Sequence, residues 1–387
     1  MLIKPGNLYC GEHSHLFGKK NTENNRISCP LDPNHSVTAT KLDSHLLKCP
    51  SKPENLPDFI AKSVNIPKNI EETSGLKVST ATDEQLLKII SKINAIYEAE
   101  IEEKIPLEIL KHPLIEEEIE KDHIGAAASK HLTQNSSLLG HLQSLGVFDK
   151  KEANFIEFGS GRGQMTFWIA KASSQELNQT FTLVDKASHR HKYDNKLKNE
   201  ADFDVSRIRA DIQDLVIEKL PRIQNSKGPL IGVSKHLCGA ATDLALRCLQ
   251  TFAKKNSDKI EAILIALCCH HRCDWNIYVG QKYLLEKGFT KDEFSLLCGL
   301  SSWATCGTGK PREKKNEEKK DGIHHLDRYE KLNLPRETRE KIGQKVKRIL
   351  DMGRCQFVKE SINMKTVKLA FYADLTKTLE NVVLIAQ

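Results

Sequence analysis

The sequence predicts an α/β fold: a mostly parallel, Rossmann-like sheet wound with helices, preceded by a small Cys/His-rich module and a helical segment. The first observation behind this is a glycine-rich turn. In Phe155-Ile156-Glu157-Phe158-Gly159-Ser160-Gly161-Arg162-Gly163-Gln164-Met165 an apolar run opens into three glycines at alternate positions, and a helix-like stretch follows. Glycine permits the sharp turn and the close approach of a ligand, and a helix N-terminus favours a ligand's negative charge. The second observation is that short apolar runs then alternate with helix-like segments. The third is a carboxylate, Asp185 and then Asp211, at the end of each of the next two runs.

With 387 residues the chain has room for more than one compact unit. No apolar run reaches membrane-spanning length, and the N-terminal residues lack a signal-peptide core. An intracellular protein, cytoplasmic or nuclear, with no membrane partner is therefore expected, and nothing signals its oligomeric state. Eleven cysteines cluster with histidines, which suggests zinc or reduced thiols rather than disulfides. The net charge of +7 divides as +2 over 1–81, −7 over 82–122 and +12 over 123–387. A basic sheet-bearing part suits a polyanion such as nucleic acid, although excess lysine is also common on ordinary soluble surfaces.

Near the N-terminus, Cys29, His35, His45 and Cys49 have the spacing C-x5-H-x9-H-x3-C. The Pro, Asp and Asn ahead of His35 favour a turn. Thr40 and Asp43 are spaced as a capping box, so a short helix is expected there, with His45 and Cys49 on one face. Two ligands from a turn and two from a helix suit tetrahedral zinc. So short a unit would draw its folding free energy from the metal. The finger is expected over about 27–52, within a zinc-finger region of 1–50. Upstream, Cys10 and His13 read either as half of a second zinc site or as a fortuitous pair.

Residues 51–81 lack periodicity and are rich in Pro, Ser, Thr and Asn, as a linker would be. A helical segment is expected over 82–148. Leu86, Leu87, Ile89, Ile90, Ile93 and Ile96 recur at helix spacing behind Thr82 as N-cap, and Pro106 and Pro113 break the run. His131 and His141 read as ordinary surface or core histidines.

The sheet is expected over 149–387. The pattern G-x-G-x-G lacks the wider spacing of the dinucleotide fingerprint; it fits the first loop of S-adenosylmethionine (SAM) dependent methyltransferases, or, alone, a glycine turn with no ligand. Asp185 ends a second strand, where an acid can accept from ribose hydroxyls. Asp211 ends a third, where SAM enzymes commonly hold the adenine amino group. Each Asp has the plainer alternative of a cap or turn residue. Glu157, Gly159, Gly161, Gly163, Asp185 and Asp211 form the candidate cofactor set. Strands four and five run into Lys235-His236-Leu237-Cys238-Gly239 and Cys268-Cys269-His270-His271-Arg272-Cys273-Asp274-Trp275. In an open parallel sheet both fall at the carboxyl edge, beside the glycine loop. Ligands so close together match zinc patterns poorly, so the second run reads as a polar active-site floor. Ser301-Ser302-Trp303-Ala304-Thr305-Cys306-Gly307 reads as a substrate-side loop, 309–322 as a charged insertion, and 336–350 as a basic helix stopped by Gly353. Val367–Tyr372 and Asn381–Ile385 complete the sheet, the last strand antiparallel.

Taken together, these strings resemble the eukaryotic tRNA 2′-O-methyltransferases that modify nucleotide 4 of the acceptor stem, the tRNA:m(4)X modification enzymes. The resemblance rests on Tyr9-Cys10-Gly11-Glu12-His13, Cys29 to His35, Ser234 to Leu249, Ile265 to Trp275 and Ser301 to Gly307, and covers nearly the whole chain. It implies a CHHC zinc finger on Cys29, His35, His45 and Cys49, a SAM-dependent Rossmann-like domain and a tRNA substrate. The family's other finger is of CCCH type, and this chain carries only Cys10 and His13 of it. Lys235, His236, His270, His271 and Asp274 are the candidates for acting on the 2′-hydroxyl.

Overall fold

The computed structural model describes residues 26–52, 56–72, 75–121, 125–189, 192–199, 203–305 and 328–387. Cys10, His13, Cys306, Gly307 and the charged insertion at 309–322 lie outside the described residues. The chain forms two compact units, 1–60 and 61–387.

In the first unit β1 (Arg26–Cys29) and β2 (Asp32–Thr38) form an antiparallel hairpin, with Ile27 opposite Val37. Helix α1 (Leu42–Lys48) follows. His35 therefore sits on a strand, not in a turn. The expected capping box is not formed: Thr40 lies in a 3-10 turn, and Lys41 caps α1 without a side-chain bond. Besides Cys29 and Cys49, Val37 is the one buried apolar side chain among the described residues of this unit. That is too little to fold the 32 described residues of this unit, 26–52 and 56–60, without a further cross-link.

The second unit begins with residues that read as linker but are anchored. Asn65 is buried and its Nδ2 donates to the carbonyls of Ile212 (2.7 Å) and Leu215 (2.9 Å), while the Ser63 amide donates to Asp214. Polar composition hid this because the attachment is made by hydrogen bonds, without apolar periodicity. Helix α2 (Asp83–Glu100) starts at a true capping box, Thr82 with Gln85. Pro113 opens α3 (Pro113–Ile119), where its missing N–H costs nothing. Helix α4 (Ala126–Ser144) leads to the sheet. Residues 82–148 belong to the same compact unit as the sheet: Leu132, Leu138, Leu139 and Leu142 of α4 share a core with Phe155, Ile231 and Leu264.

The sheet strands are β3 (Asn154–Phe158), β4 (Thr180–Asp185), β5 (Asp204–Arg209), β6 (Leu230–Cys238), β7 (Ile260–Cys268), β8 (Val367–Phe371) and β9 (Val382–Ala386). Among the described residues their order is β5-β4-β3-β6-β7-β9-β8. All neighbours pair parallel up to β7, and β9 is antiparallel to both β7 and β8. The intervening helices are α5 (Gln164–Ala172), α6 (Asp194–Asn199), α7 (Ala240–Lys255), α8 (Gln281–Glu286), α9 (Lys291–Ser301) and α10 (Arg336–Ser361). Strand order reverses between β3 and β6, the switch point where a crevice opens at the carboxyl edge.

A second core joins α2, α9 and α10 through Leu86, Ile89, Leu297, Ile342, Val346 and Ile349. Trp303 belongs to it, so the described part of 301–307 is packing and not a substrate-side loop. Gly353 does not stop α10. The glycine lies inside the helix because the Tyr278 hydroxyl and the Gly280 backbone press against it, leaving no room for a Cβ. Within α10, Arg354 is fully buried, with Nε and Nη2 on the two oxygens of Asp243 (3.0 and 2.8 Å). Arg348 meets Asp351 at 2.9 Å. Removing one partner of a buried pair strands the other charge, at about 3–5 kcal/mol. Arg354→Met is accordingly expected to lower the unfolding free energy from urea titration by that scale, and an unchanged midpoint would rule out this cluster as a structural tie.

Candidate functional site

Four ligand-type atoms converge in the first unit. Cys29 Sγ and Cys49 Sγ are 3.7 Å apart, His35 Nε2 and His45 Nε2 3.2 Å, His45 Nε2 and Cys29 Sγ 3.2 Å, and Cys49 Sγ and His35 Nε2 3.6 Å. A tetrahedron with ~2.0–2.3 Å metal bonds has edges of roughly 3.3–3.8 Å. The four atoms thus already stand at nearly the corners a zinc ion requires. The other nitrogen of His35, Nδ1, lies 3.5 Å from the Asp32 carboxylate, the outer-shell partner that fixes a metal-binding imidazole. The donor set fits zinc, and these residues would hold it.

At the switch point the loop after β3 is built on backbone conformations that L side chains rarely adopt. Gly159, Gly161 and Gly163 have φ of +62°, +51° and +79°. A Cβ on Gly159 would meet Leu237, and one on Gly163 would meet Leu183 and Arg207. At Gly161 the same direction is open space, which leaves that face free for a ligand. Asp185 braces the loop from β4, since its Oδ2 accepts from the Gly161 amide at 2.7 Å and its Oδ1 from the Ala187 amide at 2.8 Å. Arg207, which the sequence did not single out, reaches from β5 and donates to Gly161 O (2.9 Å) and Ser160 Oγ (3.1 Å). Buried Asp194 holds the same guanidinium at 2.8 Å. In the sequence, Ser206-Arg207-Ile208-Arg209 is only part of a third strand, and the parallel pairing of β4 with β5 is what brings Arg207 to the loop.

Glu157 lies beneath the loop. It is buried and accepts from the Thr166 amide at 3.0 Å and from the Thr166 hydroxyl, so it anchors the first turn of α5. Burial pushes its carboxyl up to about 7, against the Thr166 hydrogen bonds. Asp211 behaves as a cap: it accepts from the Gln213 amide (3.2 Å) and pairs with Lys186 at 2.6 Å.

The substrate-side candidates separate. Pairing of β6 with β7 is irregular between Ser234 and Leu237, and irregular register of this kind re-aims side chains. Lys235 is buried and donates to Asn135 Oδ1 (2.7 Å) and His131 O (3.1 Å) on α4. Burial brings its amine down to about 7, opposed by Glu157. His236 is exposed, with its ring 6.4 Å from that of His131. His270 turns away: it is buried, and its Nε2 donates to Asp351 at 2.5 Å. Burial holds it below the ordinary histidine pKa, so it serves as a neutral tie to α10. Asp274 is exposed and accepts from the Asn276 amide (2.9 Å), as a turn residue does. His271 is exposed. The run from Cys268 to Trp275 therefore does not form one polar floor, because His270 and Trp275 pack inward. His141 is a core histidine bonded to Glu108 O at 2.9 Å.

This sheet order, with a glycine loop at its switch point, defines an α/β methyltransferase-type domain in a chain that also carries a CHHC finger. The family model described as Methyltransferase TRM13 matches residues 133–387, and that of the U11-48K-like CHHC zinc finger matches residues 26–50. The Mus musculus protein named tRNA:m(4)X modification enzyme TRM13 homolog is 33% identical, over 100% of this chain and 91% of its own length. The Homo sapiens protein of the same name gives the same figures. The Saccharomyces cerevisiae tRNA:m(4)X modification enzyme TRM13 is 32% identical, over 98% of this chain and 91% of its own. The chain belongs to the TRM13 methyltransferase family.

Cys29→Ser is expected to cost one zinc per chain by atomic absorption and to expose residues 26–50 to proteolysis. A metal-free protein with a protease-resistant finger would contradict the centre.

Proposed function

We propose that this chain is a SAM-dependent tRNA methyltransferase that 2′-O-methylates the ribose of nucleotide 4 in the acceptor stem. The observation that carries the reading is the glycine loop at the switch point, open at Gly161 and braced by Asp185 and Arg207. The full-length similarity to proteins named tRNA:m(4)X modification enzymes supports the substrate, as does the +12 charge of 123–387. In this reading 149–387 is the methyltransferase domain, the finger contacts RNA, and the protein works in the cytoplasm or nucleus, where tRNA is.

SAM, when bound, supplies an electrophilic methyl group on a sulfonium. The loop amides and Asp185 would orient the nucleoside part, with Asp211 at its adenine end once Lys186 moves aside. Most of the rate enhancement then comes from positioning the ribose oxygen in line with that methyl. Lys235 is the best-placed group to take the hydroxyl proton. A neutral amine has two N–H bonds, and His131 O and Asn135 Oδ1 use both. Its lone pair is left in the remaining tetrahedral direction. Burial favours that neutral form near pH 7.

Incubation with labelled SAM and bulk tRNA, followed by mapping of the product, tests the reading. The label is expected on the 2′-oxygen of nucleotide 4; label on a base or on protein would overturn it. Asp185→Ala is expected to abolish SAM binding in calorimetry while the protein stays folded by circular dichroism; normal affinity would remove Asp185 from the site. For Lys235, the neutral amine is the active form, so kcat is expected to rise as pH increases through about 7. Lys235→Ala should lose about a hundred- to ten-thousand-fold in kcat with the KM for tRNA little changed. A flat pH profile would exclude Lys235 as the base.

A further inference from the structure

Three thiols meet at the carboxyl edge of the sheet. Cys238 ends β6, Cys268 ends β7, and the parallel register sets them side by side. Cys269 follows in the left-handed region, with φ of +52°. The three Sγ atoms lie within 4.8 Å of one another. Cys268 is buried, whereas Cys238 and Cys269 are half-exposed, so the group is open on one side. The sequence concealed this arrangement. The run Cys268 to Cys273 is too tightly spaced for a zinc motif by itself, but the third sulfur comes from another strand, and Cys273 belongs elsewhere, against Arg354 (3.0 Å).

The Cys269 amide is fixed at 3.2 Å by Glu380, whose carboxylate also pairs with Lys347, and this holds the unusual backbone of Cys269 in place. Three thiolates bound to one ion with ~2.3 Å bonds stand roughly 3.8 Å apart. With separations of at most 4.8 Å, the thiols need to close by no more than about 1 Å to reach that spacing. Among the described residues no fourth Cys, His, Asp or Glu atom joins the group at the same separation.

We infer that Cys238, Cys268 and Cys269 form a second metal centre, separate from the finger, that takes a thiophilic divalent ion of the zinc class on three thiolates and leaves its fourth position to water. A three-ligand site with one open position is the arrangement of exchangeable or reactive zinc. This centre borders the proposed methyl-donor loop, since Leu237, next to Cys238, packs against Gly159. It does not depend on the substrate assigned above.

The test uses the full chain with Cys10→Ala, Cys29→Ser and Cys49→Ser combined, which removes the finger centre and the upstream pair. Cobalt(II) titrated into this protein under reducing, anaerobic conditions is expected to give thiolate-to-cobalt charge-transfer absorption at one ion per chain. Adding Cys238→Ser and Cys269→Ser should abolish the band while circular dichroism keeps the folded signature. In the otherwise unaltered chain, the same two serines should cost one zinc equivalent by atomic absorption. If the serine variant fails to fold, the titration of the parent decides: no charge-transfer band overturns the centre. An unchanged zinc content in a folded serine variant overturns it too, as does peptide mapping that finds a disulfide within the three cysteines of anaerobically purified protein.

Discussion

The guanidinium of Arg207 is the contact on which the candidate active site depends. It bridges β5 to the loop between β3 and α5, taking Gly161 O and Ser160 Oγ on one side and Asp194 on the other. A loop of three left-handed glycines has no side chains of its own to hold it and loses more conformational entropy than other sequences on ordering. Arg207 and Asp185 supply the missing constraints from two neighbouring strands. With the loop fixed, Gly161 presents an open face at the switch point, and the first turn of α5 is anchored by the Thr166 amide and hydroxyl on Glu157. The cost is a carboxylate buried under the loop, near a lysine that is buried as well, and each shifts the other toward its charged form.

The opposite end of the carboxyl edge is held differently. There α10 inserts charged side chains into the interior, and the Arg354–Asp243 and His270–Asp351 contacts tie the ends of β6 and β7 to one long helix. These buried charges are paired with one another, which is the condition under which buried charge is tolerated, while His270 Nδ1, Asp351 Oδ2 and Arg354 Nη1 stay buried without a hydrogen-bond partner. The consequence for function is a division of labour along β6 and β7. His270 is spent on structure, Lys235 is aimed at α4, and the thiols of Cys238, Cys268 and Cys269 remain together at the rim.

Much of this was legible in the sequence. The glycine loop, the strand alternation and the four finger ligands each follow from local spacing and residue chemistry. What was hidden depends on which strands become neighbours. Arg207 had no role beyond its place in a third strand until β5 was placed beside β4. The three-thiol group draws one member from β6. His270 looked like an active-site residue because its partner, Asp351, lies on a helix 81 positions away. The stretch 61–66 looked like linker because it is attached through backbone and amide hydrogen bonds. Gly353 looked like a helix stop, whereas a close approach of Tyr278 accounts for it.

The account stands most directly on whether the braced loop is the methyl-donor site. Calorimetric titration of SAM into the folded protein and into Arg207→Met measures this. One equivalent is expected to bind the unaltered chain, and the variant, still folded by circular dichroism, should bind at least about tenfold more weakly, the equivalent of ~1.4 kcal/mol. No binding to the unaltered protein, or equal affinity in the variant, would contradict it.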